Sequence, residues 1–515
     1  GSHANQFEDA REHLHPSLWK DPSPDTESFT REQSTYIQRQ FVYMDRNNDG
    51  YLDREEFIEP LQYAMDPELA NTLFSAFDVK GKGKLDQEDF FECMRLLLYG
   101  SVTERIKFAC SLMPADEAGH VSHQAWKTLI MFTDDGDTVH RADEIWALLD
   151  PDSVGSVSVE ALEDYLLEKG FWEDKRLRIH VQAPDPKHMP LCFGGPEWKI
   201  AMPLFRAIHW SLRSTPPDCR TRAFEVNGIT ISEFEPAKFA QLREMFGYSP
   251  KTYQKNLGID NLIANVMCAN LSTPKPLSAT SKSRGYFFMA HDGSLMVKSI
   301  MENEAETLLA ILPGLIDHFR RHPRSLLTRF CGLFKSSEGD NWFIVMMSVN
   351  PASVQVTRVY DLKGSTYKRT TPVEKRTSPF AALKDLDLPE PLVLADSQEH
   401  ATLMSQIKED ADWLRAERFI DYSLLVMVAH PHDDAPPGDA DDPPRARFHS
   451  TGRELFFIGI VDMLTRYNKL LHVATHVQNG LHEGFSWQPP DPYAERFVLH
   501  MTHNVFRVEG EEAAS

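Results

Sequence analysis

The chain has 515 residues, with 54 Lys+Arg against 76 Asp+Glu and a formal net charge of −22. That length exceeds one ordinary hydrophobic core, so two or more domains are expected. The acidic surplus repels polyanions and speaks against a nucleic-acid partner. No stretch approaches the roughly 18 uninterrupted apolar residues of a membrane span.

Gly1-Ser2-His3 resembles the scar left when an expression tag is removed. Residues 1–28 are set aside as tag and tail, and no signal peptide or N-terminal lipid site is judged from them. Cys93, Cys110, Cys192, Cys219, Cys268 and Cys331 stand without CxxC spacing, as in reduced cytosolic thiols, and suggest no zinc site. Charge is uneven: residues 1–185 hold 37 Asp+Glu and 18 Lys+Arg, a balance of −19 that leaves −3 for the remainder.

Asp45–Glu56 (DRNNDGYLDREE) places oxygen donors where a twelve-residue calcium loop needs them. Asp45, Asn47, Asp49 and Asp53 occupy positions 1, 3, 5 and 9, Tyr51 lends its carbonyl at 7, and Glu56 closes at 12. Gly50 supplies the sharp turn. Tyr36, Phe41 and Val42 before the loop, and Phe57, Leu61 and Met65 after it, recur at helical spacing. A second loop, Asp78–Asp89, keeps Gly83 and Leu85, but Lys80 and Lys82 replace ligands and Asp89 replaces the closing Glu. Two ammonium groups repel a cation, so this loop is expected to keep its shape and lose the metal. Pro114–Ala125 and Asp150–Ala161 repeat the pattern at spacings of 33 to 36 residues without a closing carboxylate. Residues 29–174 thus resemble the neuronal calcium sensor and calcineurin B group, which implies an all-α module of four EF-hands in two pairs, one loop competent. Trp126, Phe132, Trp146, Phe171 and Trp172 are read as core.

Residues 175–195 carry Pro184, Pro186, Pro190 and Gly194-Gly195 and are read as linker. Beyond it, Trp198–Arg213 is an amphipathic segment suited to an interface helix despite Pro203. Phe234, Phe239, Leu242, Met245 and Phe246 suggest a further helix. Residues 278–300 read as strand, turn and strand, delivering Lys298 as protein-kinase-like folds deliver the lysine that holds ATP phosphates. Glu302–Leu315 is a helix that would bring Glu304 or Glu306 back to Lys298. Trp342–Val349 and Val354–Tyr360 are expected to pair. They lead into Asp361, Lys363, Gly364, Ser365, Lys368 and Arg369, a Gly-punctuated basic turn at a sheet edge, suited to phosphate or simply solvated. After the helix Gln398–Trp413, Asp421 and Asp462 each flank an apolar strand, separated by a Pro/Asp-rich insertion at 430–450. Such carboxylates are costly unless they face a cleft, a cation or a partner. With Lys298 they supply what phosphoryl transfer requires.

FFMAHDGSLMVKSI, YDLKGSTYKR, FIDYSLLV, FFIGIVDML and YAERF occur here in the order seen in phosphatidylinositol phosphate kinases. Residues 196–515 resemble that family, which implies an α/β (α+β) lipid-kinase domain with an antiparallel sheet, distantly protein-kinase-like. The resemblance implies that Lys298 holds ATP with Lys282, Ser283, Gly285 and Glu304 around it. Asp421 becomes the catalytic-loop aspartate and Asp462 the Mg2+ ligand. Lys363, Lys368, Arg369 and Lys469 line the headgroup, and Asp361 is architectural. Three departures stand out. Arg284 and Ser281 occupy glycine positions of the nucleotide loop, which limits backbone approach to phosphate. Asn468-Lys469 replaces a lysine pair in the membrane loop. Leu471 stands where 5-kinases carry Glu and 4-kinases Ala.

DLKGSTYKR and YAERF favour a phosphatidylinositol-4-phosphate 5-kinase regulated by calcium. It would be cytoplasmic and peripheral on the inner face of the plasma membrane, with a homodimer through the kinase domain. The alternatives are a 4-kinase acting on phosphatidylinositol 5-phosphate, or a weakly active calcium-linked phosphoinositide scaffold.

Overall fold

A computed structural model describes residues 31–63, 67–78, 80–99, 102–111, 113–126, 145–168, 194–195, 197–212, 218–257, 275–276, 285–290, 294–349, 356–376, 381–430, 447–449, 454–468 and 488–508. The expectations at Lys282, Ser283, Arg284, Lys469, Leu471, Phe132, Phe171 and Trp172, and most of the linker and insertion, lie outside them. The chain forms two compact units, one of residues 1–213, 224–231 and 257–291, the other of 214–223, 232–256 and 292–515.

In the first unit, helices Arg31–Met44 and Arg54–Leu61 flank the first loop, and Pro67–Phe77 and Gln87–Tyr99 flank the second. Strands Tyr51–Asp53 and Lys84–Asp86 join the two loops antiparallel, with Leu52 opposite Leu85. Both leucines are fully buried. Beneath this ribbon Phe57 meets Phe74 and Phe77 edge to face, at 5.5 and 5.4 Å between ring centroids. Each such pair adds about 0.5–1.5 kcal/mol beyond its burial. A second ribbon repeats the arrangement, with His120–Ser122 antiparallel to Ser156–Ser158 and Val121 opposite Val157. Trp126 and Trp146 are buried, as a core reading requires. Burial pushes the thiols of Cys93 and Cys110 up to about 12, which keeps them protonated and unreactive.

Helix Trp198–Leu212 belongs to this unit, although the sequence boundary at residue 196 assigns it to the second domain. The apolar face expected to meet another copy is covered by the chain itself: Trp198, Ala201, Met202, Leu204, Phe205, Ala207 and Ile208 are all fully buried. This face is therefore engaged within the chain itself. The helical reading that began at Phe234 also shifts. Thr221–Val226 and Ile229–Phe234 are strands, turned at Asn227 (φ 49°) and Gly228 (φ 77°), and the helices are Pro236–Met245 and Pro250–Leu257. An Asn-Gly turn between β-branched residues outweighs the helical spacing of the phenylalanines.

In the second unit Trp342–Met347 lies between two antiparallel partners, Phe330–Ser336 and Leu295–Ile300, with Ile344 opposite both Leu333 and Lys298. Val356–Leu362 does not pair with it as expected. That strand belongs to a five-stranded sheet ordered Ala382–Leu383, Val356–Leu362, Ser423–Ala429, Leu455–Val461, Arg447–His449. The last strand is the end of the expected insertion. Helices Glu302–Arg321 and Ser397–Ala416 each run past their sequence bounds. They are pinned by a buried network in which Asp410 accepts from Ser325 Oγ (2.8 Å), the Leu326 N–H (2.7 Å) and Gln406 Nε2 (3.0 Å), and meets His318 Nε2 at 2.7 Å. Asp410 is fully buried. Removing this carboxylate strands several buried polar groups, so Asp410→Ala should cost about 3–5 kcal/mol, read as a lower denaturant midpoint at unchanged m-value.

Candidate functional site

The first loop is folded around its own oxygens. Asp45 accepts from the N–H groups of Asp49 (3.2 Å) and Gly50 (2.9 Å), and Asn47 from Asp49 (2.8 Å). Asp49 accepts from Tyr51 (2.9 Å). Glu56 turns back over the loop, taking the N–H groups of Arg46 (3.1 Å) and Asn47 (3.3 Å) on one oxygen and of Asp53 (3.1 Å) on the other. Asp53 accepts from the Glu56 N–H at 2.8 Å, which completes a capping box at the start of Arg54–Leu61. Gly50 sits at φ 82°, where a side chain would be strained. Burial lifts the Asp45 carboxyl above its usual range, and the charges of Glu56 and Asp49 add to this against the pull of two backbone donors. Among the described residues no three His, Cys, Asp or Glu side chains converge tightly enough to hold a metal ion in this structure. The all-oxygen donor set nevertheless suits a hard cation, provided Glu56 exchanges its backbone donors for the ion.

The second loop has the same turn but carries its cations within the chain. Asp78 accepts from the N–H groups of Lys82 (2.8 Å) and Gly83 (2.6 Å), as Asp45 does in the first loop. Lys80 Nζ then reaches Asp89 at 2.5 Å, and Lys82 Nζ reaches Asp86 at 3.0 Å and Asp89 at 3.2 Å. These two carboxylates stand at ligand positions 9 and 12. The ammonium groups therefore neutralise them and fold the loop without metal.

In the second unit, the chemistry gathers at one edge of the five-stranded sheet. Val356–Leu362 ends at Leu362, opposite Leu424, and Ser423 begins its strand opposite Val461, the last residue of Leu455–Val461. Lys363, Asp421 and Asp462 are thus all delivered to the same edge. Lys363 Nζ meets Asp421 Oδ1 at 2.8 Å, and Lys298 Nζ meets Asp462 Oδ1 at 3.3 Å. The Asp462 side chain is 58% exposed and that of Asp421 31%. Both aspartates hold left-handed backbone, φ 64° at Asp421 and φ 57° at Asp462. Such conformations cost about 1–3 kcal/mol each and recur at functional sites. Glu304 does not join Lys298. Its carboxylate accepts the Met301 N–H (2.8 Å) and caps its own helix, because it lies in the first turn where that donor is unsatisfied.

The basic turn beyond Leu362 is held by a residue that the sequence did not single out. Asp385 accepts the N–H groups of Lys363 (2.9 Å) and Gly364 (2.7 Å) on one oxygen and Arg369 Nε (2.6 Å) on the other. Arg369 also donates to Asp361 Oδ1 at 2.9 Å and to the Asp361 carbonyl. Arg369 is only 8% exposed, and its two carboxylate partners keep its guanidinium charged against the cost of burial. Its sequence assignment to the headgroup is therefore corrected: the guanidinium is committed to shaping the turn. Asp361 is architectural, as expected. Lys368 is exposed, its ammonium 5.0 Å from the Tyr367 ring centroid. Gly364 has two reasons to lack a side chain, since φ is +68° and a Cβ would lie 2.9 Å from His500 Cβ.

Helix Pro490–His500 supports the same turn and explains YAERF. Tyr493 donates to the Tyr422 carbonyl, next to Asp421, and Arg496 Nη2 donates to the Lys363 carbonyl at 3.4 Å. Gly459, between Ile458 and Ile460, is fixed by packing: a Cβ there would lie 2.8 Å from Val349 Cγ2. Asp385 and Asp410 lie in no motif, so only three-dimensional proximity reveals them, as it alone reveals what Arg496 of YAERF touches.

One unit thus carries a calcium-type loop and the other a lysine–aspartate sheet edge. Residues 268–443 match the family model described as Phosphatidylinositol-4-phosphate 5-Kinase, and residues 34–95 match that of an EF-hand domain pair. One stretch of the chain is thus similar to the phosphatidylinositol-4-phosphate 5-kinase family and another to an EF-hand pair. It is 27% identical over 71% of its length to a Plasmodium falciparum protein named phosphatidylinositol 4-phosphate 5-kinase, of which it covers 25%. It is also 27% identical over 61% of its length to the mouse type-1 alpha protein of that name, covering 64% of it. With the chicken type-1 beta protein it shares 29% identity, over 56% of this chain and 60% of the relative. The chain spans less than two thirds of each of these relatives.

If the second loop is silenced by its lysines, Lys80→Asp, Lys82→Asn and Asp89→Glu together should add one bound calcium to the wild-type stoichiometry in a calorimetric titration. An unchanged stoichiometry would show that the loop fails for another reason.

Proposed function

We propose that this chain is an ATP-dependent lipid kinase that converts phosphatidylinositol 4-phosphate to phosphatidylinositol 4,5-bisphosphate and is controlled by calcium. The observation that carries the reading is the pair of lysine–aspartate contacts, Lys363–Asp421 and Lys298–Asp462, at neighbouring strand ends of a domain of this family. Phosphoryl transfer demands positioning and neutralisation of charge more than covalent chemistry. Lys298 would hold the ATP phosphates, exchanging Asp462 for them. Asp462, exposed and freed of its lysine, fits as the carboxylate that holds Mg2+, which when bound neutralises charge on the transferring phosphoryl group. Asp421 would accept or orient the proton of the attacking inositol hydroxyl. Lys363 fits a phosphate contact there, with its N–H held by Asp385 and its carbonyl by Arg496. Lys368 would reach the headgroup, a reading its exposure supports, and Gly285 would lie by the nucleotide, a reading its neighbourhood in sequence supports.

The N-terminal unit is read as four EF-hands in two pairs, in which Asp45–Glu56 takes calcium and the second ribbon is structural. The distant protein-kinase likeness, a cytoplasmic location and attachment to the inner face of the plasma membrane form part of the same proposal.

Transfer of labelled phosphate from ATP to vesicles carrying phosphatidylinositol 4-phosphate, with the position of the new phosphate mapped, tests this reading. The 4,5-isomer should form, and Asp462→Asn should slow transfer by about 10²–10³-fold. A product only from phosphatidylinositol 5-phosphate would make the chain a 4-kinase, and lipid binding without transfer would make it a scaffold.

A further inference from the structure

The helix Trp198–Leu212 rests on the exit helix of the first calcium loop. Trp198 is fully buried, and its indole N–H donates to the Pro60 carbonyl at 2.6 Å. Arg206 Nη1 donates to the Gln62 carbonyl at 3.4 Å, and Asn227 Nδ2 donates to that same carbonyl. Pro60 and Gln62 lie in the last turn and at the cap of Arg54–Leu61, where helix carbonyls lack intrahelical partners. A cationic guanidinium there also meets the negative end of the helix dipole. The end of the exit helix is thus completed by groups far along the sequence.

A second link leads back to the loop. Glu59, one turn beyond Glu56, pairs with Arg46 at position 2 of the loop and with Lys199 Nζ at 3.6 Å. The Arg46 N–H is one of the donors that Glu56 must release to close on an ion. On the same helix, Phe205 meets Phe288 edge to face at 6.1 Å, and Phe288 stacks on Tyr286 at 6.3 Å with the rings 6° apart. Tyr286 and Phe288 belong to the segment read as the nucleotide loop. All these residues lie in the first unit.

We propose that Trp198–Leu212 is the internal target of the first EF-hand and carries its calcium state to the nucleotide loop. Movement of Glu56 onto an ion shifts Arg54–Leu61, the helix that holds Pro60, Gln62 and Glu59. Trp198, Arg206 and Lys199 follow it, and Phe205 passes the shift to Phe288. The occupant of the sensor is a segment of the same chain, already docked, so the response needs no recruited partner. This rests on the calcium and kinase readings above.

Coupling of this kind is reciprocal: calcium and nucleotide must change each other's affinity by one common factor. The test uses the full chain, a fluorescent non-hydrolysable ATP analogue and calcium, titrated each in the absence and presence of the other. We expect a factor of about fivefold or more, equal in the two directions. Trp198→Phe, which keeps an aromatic ring and loses the indole N–H, should shrink the factor, and Phe205→Leu should bring it near one, while both variants still bind each ligand. Both ligands binding with a factor of one, or a factor unmoved by either variant, overturns the proposal. Calcium binding that persists in Glu56→Gln would instead overturn the assignment of the loop. No analogue binding in any state would overturn the kinase reading.

Discussion

The carboxylate of Asp385 is the constraint on which the kinase-type edge depends. It binds the N–H groups of two consecutive residues, Lys363 and Gly364, and the guanidinium of Arg369, while itself 8% exposed. A turn with a left-handed glycine and several cations would otherwise sample many shapes. Three charge-assisted bonds to one buried acceptor leave it one. Asp361 completes the balance on the far side of Arg369, so two carboxylates surround one buried cation. Lys363 is then free of backbone ambiguity and presents its ammonium to Asp421.

Around this clamp the fold uses two devices to aim its carboxylates. Register between Val356–Leu362, Ser423–Ala429 and Leu455–Val461 delivers three chemically active residues to one edge. Left-handed backbone at Asp421 and Asp462 then turns each side chain from the direction a continuing strand would give it. Tyr493 and Arg496, from a helix more than seventy residues beyond Asp421, hold the peptides on either side of the site. The Lys–Asp pairs balance charge within the edge. On the proposed function, phosphate groups and a divalent cation would enter it by exchanging partners, without leaving a buried charge uncompensated.

Much of this was legible in the sequence, for reasons that can be named. The loop Asp45–Glu56 sets out its EF-hand pattern by spacing within twelve residues, so local chemistry was enough to expect its turn and flanking helices. Asp421 and Asp462 were visible because a carboxylate flanking an apolar strand is rare and costly, and Lys298 because it interrupts the apolar alternation of Leu295–Ile300. What failed depends on distant pairing. Trp342–Met347 and Val356–Leu362 are adjacent in sequence but lie in different sheets, and alternation cannot choose between partners. Arg369 looked like a phosphate ligand because nothing local shows that Asp385, sixteen residues on, already holds it. Helix Trp198–Leu212 was rightly called amphipathic, but its apolar face gives no address, and it lies on its own chain's exit helix. Asp410 sits within a helix of ordinary polar spacing, and its network appears only in three dimensions.

Asp385 shapes the edge at which the proposed phosphate transfer would occur. The most direct measurement compares phosphate transfer per folded molecule in wild type and Asp385→Asn, with the folded fraction fixed by circular dichroism at the assay temperature. Misplacing a reacting group by about 1 Å costs on the order of 10²-fold, and a loss of that size in fully folded variant is the result this account predicts. A transfer rate per folded molecule equal to that of wild type would contradict it.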